Sequence, residues 1–321
     1  MKKLKEKLNK SINMADQMVL IGIFLAFLYW GLESLLNFFS PEEINFYRQL
    51  FGPNVSEMWL RVIVLCLFMI FGSHVQFTIN KRKQAERDLL DSYRKLQNAR
   101  MATILGLAKL AEYRDEGTGT HLERIREYAK IIAQELAKNI KYRNVITPDY
   151  IEDIYQSAIL HDIGKVGIPD AVLLKPDKLT DKEFEIIKRH TILGGDAIRA
   201  IENRIEGRSF LEMGKEIAYN HHEKWDGSGY PAGLEGDEIP LSARIVALAD
   251  VYDALTTERF YKRAYTHEKS SQIIIDLKAI HFDPAIVDVF LQLEEEFKRI
   301  RQELIKAETG WIELPAQAMG T

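Results

Sequence analysis

The chain has 321 residues, of which 46% are hydrophobic, and a formal net charge of −4. That content suffices to bury a core for one large or two modest domains. The weakly acidic balance excludes a surface built to coat duplex nucleic acid, and the single cysteine, Cys66, excludes intrachain disulfides and cysteine-based metal sites.

Two apolar runs stand at the front, residues 18–39 and 58–79. The first is interrupted only by Glu33, Ser34 and Asn37; the second has Arg61 near enough to its start to snorkel. Each run is about 22 residues, enough to cross roughly 30 Å of hydrocarbon as a helix. Cys66 lies in the second run and reads as an inert buried thiol. Two runs of equal length, with no Ala-x-Ala-like site after the first, argue against a cleaved signal peptide. Lys2, Lys3, Lys5, Lys7 and Lys10 precede the first run, and Lys81, Arg82, Lys83 and Arg87 follow the second. The segment between them carries Arg48 alone. The positive-inside rule then predicts a two-pass hairpin, residues 1–79, in the lipid bilayer of the inner (cytoplasmic) membrane, with both termini cytoplasmic.

Residues 80–113 read as a linking helix, with Leu89, Leu90, Tyr93, Leu96, Met101, Ile104, Leu107 and Leu110 at spacings of three and four. The pattern fits a coiled coil, and hence a parallel homodimer through 80–113, or a plain amphipathic helix. From 114 to 305 helical periodicity continues without a convincing strand, giving an all-α bundle. Its expected helices are 120–138, 148–160, 180–200, 211–222, 241–257, 267–280 and 284–305. Thr180 with Glu183 forms a capping box, and Pro148 and Pro284 suit first-turn positions. Residues 306–321 read as a tail, frayed from Thr309 onward.

The chemistry concentrates in a few segments. Residues 221–231 read His-His-Glu-Lys-Trp-Asp-Gly-Ser-Gly-Tyr-Pro, and residues 161–165 read His-Asp-Ile-Gly-Lys. His121, His190 and Asp250 fall between and around them. A lone helical histidine is usually structural; five of the chain's eight histidines within this pattern are not so easily explained.

In this order the segments resemble the HD-GYP family of metal-dependent cyclic di-GMP phosphodiesterases, over about residues 100–290. The resemblance implies an HD-type helical bundle behind the transmembrane hairpin and linking helix. It implies metal ligation by His121, His161, Asp162, His190, His221, His222 and Asp250. If Asp162 bridges, each of two ions receives four protein bonds. A bridging hydroxide and a substrate oxygen would bring each ion to six, which suits Fe or Mn better than tetrahedral Zn. Some family members hold a third metal through a carboxylate four residues before the first histidine. Here that position is Gly117, with Glu116 one place too early, so two divalent ions are expected.

The resemblance also implies phosphate and guanine contacts by Arg259 and Lys262, and it associates the 227–231 loop with recognition of partners, including diguanylate cyclase domains. Gly229 allows close backbone approach, and Tyr230 either stacks on a base or plugs the loop onto the bundle. Glu223 and Asp226 are expected to orient the histidines. The implied reaction is hydrolysis of a 3′–5′ phosphodiester of cyclic di-GMP to pGpG or GMP. Asp162 sits among the reacting groups, Lys165 stabilises charge on phosphate, and Asp115 donates a proton to the leaving oxygen. The alternatives are a non-catalytic cyclic di-GMP receptor and a phosphodiesterase for another cyclic dinucleotide such as cyclic GMP-AMP.

Overall fold

The computed structural model describes residues 14–39, 54–114, 120–207, 209–258 and 263–312. The chain divides into two compact units, residues 1–98 and 99–321. Among the described residues every regular element is helical, and the isolated bridges Asp226–Glu235 and Lys278–Phe282 are the β-type pairings found.

The first unit contains α1 (Met14–Phe38) and the front of α2 (Val55–Glu112). The two helices touch backbone to backbone at two glycines: a Cβ on Gly22 would stand 2.6 Å from the Phe68 carbonyl oxygen, and one on Gly72 would stand 2.6 Å from that of Met18. Both helices are long and apolar enough to cross a membrane. Phe24, Phe27, Leu35, Trp59, Ile70 and Phe71 are exposed on them, unlike the side chains of a soluble core helix. Two expectations change here. Arg61 does not snorkel: its side chain is buried, its Nε lies 3.1 Å from Glu33 Oε2 of α1, and its guanidinium lies over Trp30. A charge in an apolar hairpin is stabilised better by an opposite charge on the facing helix than left alone. Cys66 is exposed on α2, so it faces whatever surrounds the hairpin and not a protein interior. Leu89, Leu90, Tyr93 and Leu96 are likewise exposed.

In the second unit, Met101, Ile104, Leu105 and Ala108 at the end of α2 pack with Leu122, Ile159, Leu160, Ile198 and Phe210. This compact unit runs from Ala99 onward, so it takes in the last turns of α2. Next come α3 (His121–Leu136), α4 (Pro148–Ser157), two 3₁₀ turns at 158–160 and 163–167, and the short α5 (Asp170–Leu173). They are followed by α6 (Asp181–Glu202), α7 (Leu211–Asn220), α8 (Leu241–Thr256), α9 (His267–Asp276), α10 (Pro284–Gln292) and α11 (Glu294–Ile312).

Local chemistry sets these boundaries. The Thr147 side chain accepts from the Tyr150 amide with Pro148 in the first turn of α4, and the Thr180–Glu183 capping box opens α6. Asp283 caps α10 ahead of Pro284. One helix was expected over 284–305, but the chain breaks at Leu293 and resumes as α11, which is helical to Ile312 where fraying had been expected.

The main core lies where α3, α8, α10 and α11 meet. Ile125, Tyr128, Ile132, Val246, Tyr252, Ile286, Phe290 and Phe297 are all fully buried. The Tyr128 ring stacks on Phe297 at 4.4 Å between centroids and meets Tyr252 edge-on at 5.3 Å. Each such side chain contributes about 1.5–3 kcal/mol by leaving water. This packing fixes α3 and α8, the helices that carry His121 and Asp250.

Candidate metal centre

Four helices and two 3₁₀ turns bring the seven residues of the motif together. His121 opens α3, His161 follows the first 3₁₀ turn, Asp162 precedes the second, and His190 lies within α6. His221 and His222 follow directly on α7, His221 as its C-cap, and Asp250 lies within α8. Their donor atoms form two groups: Asp162 with His190, His221 and His222, and His121 with His161 and Asp250. Within each group they lie within 4.8 Å of one another.

Asp162 faces both groups. Its Oδ2 is 3.3 Å from His161 Nε2, while its Oδ1 is 3.1 Å from His190 Nε2 and 3.5 Å from His221 Nε2. The turn that places it depends on Gly164, where a Cβ would stand 2.0 Å from the His190 carbonyl oxygen. Any side chain there would push the His161–Lys165 segment off α6.

Backbone carbonyls orient three of the imidazoles. Nδ1 of His161, His190 and His221 lies 2.9, 2.7 and 3.0 Å from the carbonyl oxygens of Ala158, Ile187 and Ile217. A carbonyl can only accept, so each Nδ1 carries the proton and each Nε2 turns a lone pair toward the cluster. Among the described residues no backbone carbonyl holds His222 in this way; the Tyr230 ring stacks on it at 4.8 Å between centroids.

Burial holds the His221 pKa down, and burial together with the neighbouring His221 holds that of His222 well down, so both are neutral. At His161 burial also lowers the pKa, but Asp162 and Asp250 outweigh it and the net shift is upward. At His121 burial is outweighed by Asp253, Glu112 and Asp250, and the pKa rises to about 9. Burial raises the Asp162 carboxyl, yet Lys165 and His161 hold it well below the usual carboxylate range. The cluster is thus rich in carboxylate charge and draws cations.

His161 Nε2 is buried and makes no hydrogen bond of good geometry. Imidazole lone pairs, carboxylates and a buried, unsatisfied Nε2 fit a divalent cation of the borderline or hard kind.

A family model described as HD domain matches residues 105–286. The chain belongs to the HD domain family. The HD-GYP resemblance read from residues 161–165 and 221–231 stands with it.

Among curated relatives, a cyclic di-GMP phosphodiesterase of Vibrio cholerae is 52% identical over 216 residues, covering 66% of this chain and 44% of that protein. A probable cyclic di-GMP phosphodiesterase of the same organism is 46% identical over 246 residues, covering 75% and 56%. A 3′3′-cGAMP-specific phosphodiesterase, also from V. cholerae, is 38% identical over 201 residues, covering 63% and 36%. The chain spans about half the length of the first two.

This HD domain contains supporting residues that the motif did not announce. Asp253, one helical turn past Asp250, is fully buried. Its Oδ2 is 2.7 Å from His121 Nδ1, and Arg124 donates to its Oδ1 through Nε at 2.6 Å. It therefore aims His121 Nε2 at the cluster, as the backbone carbonyls do for the other histidines. The spacing Asp250-x-x-Asp253, one face of one helix, was the available signal. Glu112, the last residue of α2, is buried with Oε1 3.4 Å from His121 Nε2.

Glu223 and Asp226 do not orient the histidines. The buried Glu223 carboxylate accepts from the amides of Ala232, Gly233 and Leu234 at 2.7, 3.2 and 3.1 Å. Asp226 closes a turn with the Ser228 amide at 2.9 Å. Gly229 has a packing reason, since a Cβ would stand 2.3 Å from the Lys224 nitrogen. Lys165 Nζ is 2.8 Å from Asp162 Oδ2. Asp115, Glu116, Gly117, Arg259 and Lys262 lie outside the described residues.

Proposed function

We propose that this chain hydrolyses a 3′–5′ phosphodiester of a cyclic dinucleotide, cyclic di-GMP first, to pGpG or GMP. One observation carries the reading: a two-lobed His/Asp cluster joined by Asp162 opens onto a cavity of about 310 Å³. Lys165, Lys175, His190, His222 and Tyr230 supply its polar lining, and Val172, Leu173, Leu179 and Ile187 its apolar lining. The volume is at the small end for ligand sites, which run about 300–1,000 Å³.

His121, His161 and Asp250 would hold one divalent ion, and His190, His221 and His222 a second, with Asp162 shared between them. Iron and manganese suit this thiol-free donor set. Such ions supply Lewis acidity, activating water at neutral pH and polarising the phosphoryl group. The protein's own groups do the rest. Lys165, paired with Asp162 in the free chain, turns its ammonium to a non-bridging phosphate oxygen. Tyr230 stacks on His222 beside the cavity, and Val172, Leu173, Leu179 and Ile187 offer apolar surface to the base and sugar. Arg259 and Lys262 would contact phosphate and guanine, and Asp115 would protonate the leaving 3′-oxygen.

Around this domain, the reading includes a two-pass anchor in the inner membrane with cytoplasmic termini, an architecture of hairpin (1–79), linking helix (80–113) and catalytic bundle (114–305), and a homodimer through 80–113. A cyclase domain at the 227–231 loop is the proposed protein partner. The test is product formation from cyclic di-GMP and from 3′3′-cGAMP by the full-length protein in detergent, loaded anaerobically with Fe(II) or Mn(II). Asp162→Ala serves as the control. Turnover of cGAMP alone would reassign the substrate, and tight binding without turnover would make the chain a receptor.

A further inference from the structure

The end of α2 contributes more to the cluster than a connection. Glu112 closes that helix, is 8% exposed, and points its carboxylate at the side of His121 that faces Asp250. The turn around it is fastened in two directions. Lys109 pairs with Glu123 of α3 at 2.5 Å. Arg114 donates to the carbonyls of Val166 and Ile168 at 2.9 and 3.0 Å, gripping the turn that carries Lys165, and it also meets Asp170. A carboxylate held in this way has a defined position relative to the histidines.

That position has the spacing of a ligand. Two donors about 2.1 Å from a shared ion lie about 3.0–3.4 Å apart at octahedral or tetrahedral angles. Glu112 Oε1 and His121 Nε2 are 3.4 Å apart, close to the 3.1–3.5 Å separating Asp162 Oδ1 from His190 and His221. His121 Nε2 to Asp250 Oδ1 is 3.7 Å. The His121 group otherwise has one carboxylate of its own, and position 117, four residues before His121 in the sequence, is a glycine.

We infer that Glu112 is a ligand of the divalent ion held by His121, His161 and Asp250, so that the last residue of α2 completes that half of the metal centre. The inference rests on the metal-centre reading above. It makes occupancy of one ion depend on the seating of the α2 terminus, whereas the Asp162–His190–His221–His222 half does not depend on it.

The experiment uses full-length protein in detergent, stripped by chelator and titrated with Mn(II). Bound and free ion are read by electron paramagnetic resonance and binding heats by calorimetry. Glu112→Gln should weaken one class of Mn(II) site by about 10–100-fold and leave the other unchanged. Glu112→Asp, which keeps the charge on a shorter arm, should fall between. Circular dichroism and thermal unfolding check the fold; should Glu112→Gln fail to fold, the Asp variant decides, since unchanged affinity there overturns the inference. Wild-type affinity at every site in a folded Glu112→Gln protein would overturn it while leaving the metal-centre reading intact. A wild-type protein that binds no Mn(II) would overturn both.

Discussion

Asp253 and Arg124 form a buried pair with almost no access to water, and the same carboxylate holds His121 by its Nδ1. Removing one partner of a buried ion pair leaves an uncompensated charge, which costs more than the pair contributes when intact. Asp253→Asn is therefore expected to lower unfolding stability by about 3–5 kcal/mol in urea titrations. It should also weaken metal binding by about 10–100-fold, because His121 loses its orientation. A stability change below about 1 kcal/mol would show that the network is not buried as described.

His281 behaves differently. Burial and the nearby Lys224 push its pKa down to about 4. The unfolded chain then binds more protons than the folded one between that value and the ordinary histidine range near 6.5. Stability from this group is complete above about pH 6.5 and is lost as pH falls toward 4, by at most about 3 kcal/mol. His281→Phe, which keeps a ring against Phe282, should unfold with a shallower acid dependence than wild type over that window. Identical slopes would contradict the assignment.

At the scale of elements, the segment from 223 to 235 shows how a motif can be read correctly and its parts misassigned. The sequence marked it as functional, and His221 and His222 do face the cluster. Glu223, however, is a loop anchor: one carboxylate takes three consecutive amides, and Trp225 and Asp226 donate from their backbone amides to the carbonyls of His281 and Ile280. Glu223→Gln should destabilise the protein by about 2–3 kcal/mol, since hydrogen bonds to a charged acceptor are lost. Its Mn(II) stoichiometry should match wild type; metal loss without a stability change would return Glu223 to a role beside the histidines.

Helix existence was legible wherever apolar spacing and caps agreed, as at Thr180–Glu183 and Pro148. The break at Leu293 was not, because Phe290, Leu293 and Phe297 keep helical spacing across it. The seven residues of the cluster were legible because their motif spans short, distinctive segments. Asp253 and Glu112 were not, because each occupies an ordinary helical position and only the fold brings it to His121.

At the scale of the whole molecule, α1 and α2 expose apolar side chains along their lengths, and the Glu33–Arg61 pair is turned inward between them. Cys66, exposed on this apolar surface, offers a direct check. In intact membranes it should resist a charged, impermeant maleimide and become reactive once the protein is denatured in SDS. Rapid labelling in sealed membranes would remove the bilayer from the account.

On the function proposed above, a His/Asp centre joined by Asp162 cuts a cyclic dinucleotide. The most direct test incubates full-length, anaerobically loaded Mn(II) or Fe(II) protein with cyclic di-GMP and separates products by chromatography. Appearance of pGpG or GMP, abolished in Asp162→Ala, is the predicted result. A metal-loaded protein that leaves both cyclic di-GMP and cGAMP intact would contradict it.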